Sequence, residues 1–299
     1  MKPALKAHFF ILGANIIYGI NYAIGKIALQ HIEPFGIVLF RVTGAVLIFT
    51  ILAFITKHEK IEAGDHKKLF VASLFGVVIN QLFFFKGLSL TSEIHSAMIM
   101  IATPLIVLIM AWVILKEKIT WIKSTGIIIG AIGVALLISS GAADKSSPSS
   151  IAGDICITIN ATSYAIFLII AKPLMVKYSP YTLARWIFTY GIILIIPFGW
   201  KEAAAVNWEI VPSVAIWALV YVILGATVLA YLFNILGLNY GSPALVSIYI
   251  YTQPVIASII AVVYGNDHLT LEKIISALLV FTGVALVSFT SVKKENALN

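Results

Sequence analysis

FFFKGLSLTSE at residues 83–93, IATPLIVLIMAWVILKEKIT at 101–120 and IGVALL at 132–137 return 150 positions later. The second copies read FNILGLNYGSP at 233–243, YTQPVIASIIAVVYGNDHLT at 251–270 and TGVALV at 282–287. No gap is needed from residue 83 to residue 136. Gly87 falls on Gly237, Leu88 on Leu238, Ser92 on Ser242, Pro104 on Pro254, Thr120 on Thr270 and Gly133 on Gly283. Roughly a quarter of the aligned positions are identical, the level of an old internal duplication. Duplication of a membrane chain points to a carrier.

The solvent of this chain is lipid. Its residues are 61% hydrophobic and only 11% charged, with a mean hydropathy of +1.02, more apolar surface than a soluble chain of 299 residues could hide. The formal charge of +7 could suggest nucleic acid, but the lysines sit mostly in short loops, where they set membrane orientation instead. The single cysteine, Cys156, excludes an intramolecular disulfide. The first apolar run, after Met1, Lys2 and Pro3, is long enough to span and reads as a retained helix, not a cleaved signal.

A spanning helix needs about 20 mostly apolar residues. Ten such stretches are expected at about 7–29, 34–56, 69–90, 94–115, 121–140, 151–171, 180–200, 212–236, 244–264 and 271–290. GAADKSSPSS, at 141–150, is a polar linker between a first half (1–140) and a second (151–299). With the N-terminus inside, the cytoplasmic segments carry Lys2, Lys6, Lys57, Lys60, Lys67, Lys68, Lys116, Lys118 and Lys123 in the first half. In the second they carry Lys172, Lys177, Lys293 and Lys294, whereas outer loops carry only Lys145, Lys201 and Lys273. That bias predicts both termini in the cytoplasm of a multi-pass cell-membrane protein. Five helices per half is odd, so the second half enters the membrane with opposite polarity. The inner KEKIT at 116–120 accordingly becomes an outer NDHLT at 266–270, without its flanking lysines. The expected fold is an all-α integral membrane protein: ten transmembrane helices in two inverted five-helix repeats, with a solute site near the midplane where they meet.

The chain resembles the drug/metabolite transporter superfamily, in particular its ten-helix EamA-type members. The resemblance rests on the two halves, the mid-helix Pro104 and Pro254, the acidic Glu117 and Asp267 thirteen positions later, the GVAL at Gly133 and Gly283, and the PFGIVLFR that opens the second helix. It implies a secondary carrier, often an exporter of amino acids or other small metabolites, with no bound organic cofactor.

Pro104 and Pro254 each remove a backbone donor and crowd the carbonyl four residues earlier, at Met100 and Ile250. Broken helices at mid-depth in both halves border transport sites, so these two prolines are expected to shape gating helices. Beside Pro254 lie Tyr249 and Gln253, four apart and expected on one face. Helix one offers Tyr18 and Asn21, helix three Asn80, and helix six Tyr164, on which Tyr18 falls at an offset of 146. So many hydroxyls and amides at mid-depth would be costly against lipid. For each alone, bonding to a neighbouring helix is the commoner role; as a set they line a polar cavity.

Lys26, Arg41, Lys86 and Arg185 lie within the expected spans, while every Asp and Glu falls in a loop or at a span's edge. Snorkelling to the interface is the ordinary fate of such cations. A chain with cations but no deep carboxylate favours a neutral, zwitterionic or anionic solute, whose carboxylate Lys86 or Arg41 would meet. A multidrug cation/proton antiporter would want a carboxylate in helix one, which has none. A membrane scaffold or signalling protein would not require an inverted repeat, and an intramembrane enzyme would need a converging catalytic set that the sequence lacks. His95 is a lone interfacial histidine, more often structural than titrating. Gly126, Gly130 and Gly133 form a small-residue face suited to tight packing or homodimerisation. Phosphate-cradling loops and metal-ligand clusters are missing from the sequence, so uphill movement would draw on a coupling ion or counter-solute.

In a Cys156→Ser background, a cysteine replacing Lys145 should react with an impermeant maleimide from outside, and one replacing Lys68 only from the cytoplasm. A cysteine replacing Lys273 that labels only from the cytoplasm would overturn this orientation.

Overall fold

A computed structural model describes residues 3–56, 59–91, 96, 99–140, 150–263 and 270–296, with backbone alone for 137–140, 257, 258, 260–263, 273 and 290–296. Expectations resting on Lys2, Lys57, Ser92, His95, Lys145, Asp267 and linker residues 141–149, or on the side chains of Lys273, Lys293 and Lys294, lie outside what is described. Most of what is described is helical, with no strand among the described residues. The helices are α1 Pro3–Leu29, α2 Pro34–Ile55, α3 Ala63–Leu90, α4 Thr103–Leu115 and α5 Trp121–Ser140. They continue with α6 Ile151–Lys177, α7 Pro180–Ala204, α8 Ser213–Tyr240, α9 from Pro243–Ile248 through Tyr249–Tyr251 to Thr252–Val263, and α10 Leu271–Asn296.

Proline in the first turn starts α2, α7 and α9, where its missing N–H costs nothing. Ser150, Ser179 and Ser242 cap α6, α7 and α9 by accepting from the N–H three residues on. Six helices, α1, α2, α3, α6, α7 and α8, are long and apolar enough to cross a membrane; Thr103–Leu115, Trp121–Leu136 and Ile274–Phe289 are shorter apolar helices. Large apolar side chains point outward, Trp217 being 71% and Phe54 65% exposed, an arrangement that only lipid contact makes stable.

The packing follows the duplication. α2 lies along α7, and α5 along α10, each pair made of equivalent helices from the two halves. α1 packs on α8 while α3 packs on α6, two contacts that exchange when the halves are swapped. The glycine face of α5 is used in the α5–α10 seam. A Cβ at Gly126 would come 2.9 Å from the Gly283 carbonyl oxygen, and one at Gly133 would come 2.8 Å from Leu279 Cβ. That face is therefore filled within the chain. The ends of the α2–α7 seam are stapled by carboxylates: Glu202 accepts from the Phe35 and Gly36 amides at the start of α2, and Glu59 from the Ser179 amide before α7. Negative charge on a helix N-terminus is favourable.

Among the described residues, four interruptions shape the interior. Residues Leu74–Ile79 of α3 and Val222–Leu229 of α8 wind as π-helix, at matching places in the two halves. The chain before α4 turns at Ile101 and Ala102, and α9 tightens to a 3₁₀ turn at Tyr249–Tyr251. Pro104 and Pro254 thus stand in the first turn of a restarted helix rather than clashing within a continuous one. The Tyr251 hydroxyl donates to the Ile101 carbonyl at 2.8 Å, bridging the two breaks.

Lys26 and Lys172 do not snorkel freely. Lys26 donates to the carbonyls of Leu88 and Thr91 at the end of α3, at 2.8 and 3.1 Å. Lys172 donates to those of Leu238 and Gly241 at the end of α8, at 2.8 and 2.6 Å. The acceptors are themselves equivalent pairs, so each half carries one ammonium on the negative end of its third helix. Lys26→Met and Lys172→Met should each lower the melting temperature in detergent, corresponding to about 1–3 kcal/mol for carbonyls stranded away from water. Unchanged melting in both variants would exclude a capping role.

Candidate functional site

Where the halves meet lies a cavity with about 90 Å³ open to the centres of water molecules, room for several waters or a small solute. α1 lends Tyr18, Asn21 and Tyr22, and α2 lends Arg41. α3 contributes Gly76 from its π turn, then Asn80, Gln81 and Phe84. The second half supplies Asn160 and Tyr164 from α6, Tyr231 from α8, and Ile250 and Gln253 from α9, with Met100 facing them from before α4.

The local geometry explains who reaches the cavity. Asn80 and Phe84 are one helical turn apart and share a face. A π turn adds a residue to the helical winding just before Asn80, and such bulges recur at functional sites. Met100 and Ile250 are the residues four before the two prolines, and both face the cavity because the helices break there. Pro254 lines a side cavity of about 10 Å³ beside it, while Pro104 is buried.

Five of the seven expected solute-binding residues, Tyr18, Asn21, Asn80, Tyr164 and Gln253, are brought together in this wall. Lys86 and Tyr249 are not. Lys86 is six residues past Asn80, a rotation of about 240° on a helix, and its neighbour Gly87 packs on Ile157 and Cys156 of α6. Tyr249 hydrogen-bonds His8 Nδ1 of α1 at 2.6 Å and is 8% exposed. The 3₁₀ turn winds more tightly than an α-helix, which carries Tyr249 off the face of Gln253.

Many wall groups also hold helices together. Gln253 Nε2 donates to Asn15 Oδ1 at 2.7 Å, and Asn234 Nδ2 to the Tyr164 hydroxyl at 2.7 Å. Asn160 Nδ2 donates to the Asn80 carbonyl at 2.8 Å, and Asn80 Nδ2 returns a longer bond of 3.4 Å to the Asn160 carbonyl. Other polar atoms lack a partner among the described residues: Asn21 Oδ1, Gln81 Oε1, Asn160 Oδ1 and the Tyr231 hydroxyl are buried without a hydrogen bond there. Orphaned polar atoms of this kind cost free energy.

Arg41 is the cation of the wall, 6% exposed, with its guanidinium 5.1 Å from the Phe85 ring centroid. Its Nε donates to Thr227 Oγ1 at 2.7 Å, and the Thr227 hydroxyl donates in turn to the Val222 carbonyl across the α8 π turn. No Asp or Glu lines the cavity among the described residues. Sequence patterning marked Arg41 as an intramembrane cation but gave no means of pairing it with Thr227 in the other half. It also gave no sign of the π turns, which leave no compositional trace.

The comparisons with known proteins agree with this architecture. The profile of the EamA-like transporter family matches residues 5–139 and again 151–289. An uncharacterized transporter of Archaeoglobus fulgidus is 24% identical, covering 95% of this chain and 97% of its own. The uncharacterized transporter YyaM of Bacillus subtilis (strain 168) is 25% identical over 95% of this chain and 94% of its own. The WAT1-related protein At3g53210 of Arabidopsis thaliana is 21% identical over 92% and 84%. One solved crystal structure, 16% identical, superposes with a TM-score of 0.76 over 97% of this chain and 98% of its own; that likeness speaks for the fold. With both halves matched and the ten-helix membrane architecture in place, the chain belongs to the EamA-like transporter family.

Proposed function

We propose that this protein is a secondary transporter that exports a small organic metabolite across the cell membrane. Its two five-helix repeats, 1–140 and 151–299 joined by the 141–150 linker, would rock about a site between them to give alternating access. The observation that carries this is the polar cavity walled by both halves, to which each half contributes one of the equivalent residues Tyr18 and Tyr164. Export as the direction, and amino acids as the leading solutes, are supported by the resemblance to the wider superfamily. The solute contacts are assigned to Tyr18, Asn21, Asn80, Tyr164 and Gln253. Pro104 and Pro254 mark the ends of the segments that would move, because each begins a restarted helix at a break. A wall with a cation and no carboxylate among its described residues suits a neutral, zwitterionic or anionic solute rather than an organic cation.

Counterflow in proteoliposomes with labelled amino acids tests the carrier: internal unlabelled solute should accelerate uptake of the same labelled solute. Gln253→Ala should reduce that uptake and also cost about 0.6–1.7 kcal/mol of stability for its bond to Asn15, whereas Asn21→Ala should reduce it with little change in melting temperature. Tyr249→Phe should do the reverse, costing about 0.6–1.7 kcal/mol of stability for its bond to His8 with transport retained. Failure of counterflow across amino acids, other organic anions and neutral metabolites would overturn the carrier assignment.

A further inference from the structure

We propose that Arg41 is the receptor for an anionic group of the solute, so that the cavity selects carboxylate-bearing molecules over their neutral analogues. This rests on the carrier reading above and goes beyond it by naming the group recognised and the residue that recognises it. Arginine stays charged at any physiological pH, so Arg41 cannot escape its burial by losing a proton. A buried charge without a counter-charge is costly, and more so within a membrane. Yet no salt bridge to Arg41 exists among the described residues, and the one hydrogen bond its guanidinium makes there is from Nε to Thr227.

The geometry of that bond leaves the other edge of the fork for a ligand. Guanidinium has five N–H donors; one is spent on Thr227, and the paired Nη groups are the edge that a carboxylate meets with two parallel bonds. The guanidinium carbon lies over the Phe85 ring, 5.1 Å from its centroid, a cation–π contact that helps to hold it. Thr227 acts as a positioning residue: its hydroxyl proton is committed to the Val222 carbonyl, so its oxygen must accept from Arg41. The unpartnered oxygens of Asn21, Gln81 and Asn160 belong to residues of the same wall and are each nine-tenths or more buried. They are acceptors, which complements a solute carrying N–H or O–H donors beside its anionic end.

The anion could be the solute's own carboxylate or inorganic chloride, and the test separates them. Purified full-length protein in detergent is melted with a panel of amino acids and 2-oxo acids, with the matching amides and methyl esters, and with chloride against sulfate at equal ionic strength. At least one carboxylate should raise the melting temperature while its amide does not. Arg41→Lys, which keeps the charge but loses the fork, should weaken apparent affinity for that acid by about 10- to 100-fold. Thr227→Val should raise the half-saturation concentration for counterflow while leaving the maximal rate near parent, a split that mere loss of stability would not produce. Amides bound as well as acids, an unchanged acid preference in Arg41→Lys, or no shift with any carboxylate would each overturn the assignment. Stabilisation by chloride alone that carboxylates do not add to would likewise overturn it in favour of an inorganic anion site. Amides transported as well as acids would leave the carrier standing and remove only the role of Arg41.

Discussion

In hydrocarbon, a backbone carbonyl released from its helix must find another donor, because no water is there to supply one. Among the described residues the helices are interrupted at four places inside the membrane, and a side-chain hydroxyl meets each. Ser163 donates to the Phe75 carbonyl in the α3 π turn, and Thr227 to Val222 in that of α8. Tyr251 donates to Ile101 before α4, and Thr252 to Tyr249 in α9. The cavity lies among these four breaks. Straight helices would pack side by side and close the space; broken ones let Met100, Ile250 and Gly76 recede into its wall.

The scaffold obeys a two-fold relation that the wall partly abandons. Tyr18 and Tyr164, Met100 and Ile250, and Gln81 and Tyr231 are equivalent pairs whose members both face the cavity. The lysine caps on α3 and α8 keep the same relation. Arg41 does not: its equivalent at an offset of 146 is Ile187, a residue of the apolar core. Asn80 likewise faces Ala230 in the duplicated register. The seams can stay symmetric because each joins equivalent helices of the two halves, whereas the wall is not bound by that two-fold relation.

The two expected residues that fall outside the wall show how local rules fail near a break. Tyr249 and Gln253 are spaced for one face of an α-helix, and the rule holds only where winding is regular. Tyr249 opens the 3₁₀ turn Tyr249–Tyr251 whereas Gln253 lies in the helix that follows, and Tyr249 becomes a strut between α9 and α1. Lys86 attracted notice as a charge in an apolar stretch, yet charge says nothing of azimuth. Lys26, equally conspicuous, reaches carbonyls of α3 rather than solute or lipid headgroups, since a helix end supplies a negative partner without any acidic residue.

What this sequence determines alone is what bulk composition and translation along the chain can encode. Apolar runs of membrane length, the duplication at a shift of 150, the lysine bias between loops and the paired prolines are all linear patterns, and lipid punishes any alternative to helices. From them follow the family, the two five-helix halves and the polar character of the interior. Only the tertiary structure decided which polar side chains share one cavity, that α3 and α8 carry π turns, that the glycine face of α5 is spent on α10, and that Arg41 is held by Thr227 from the other half. Those outcomes depend on helix rotation and on contacts between residues such as 41 and 227, separated by 186 positions in the chain, and small changes in winding that leave composition untouched redirect them.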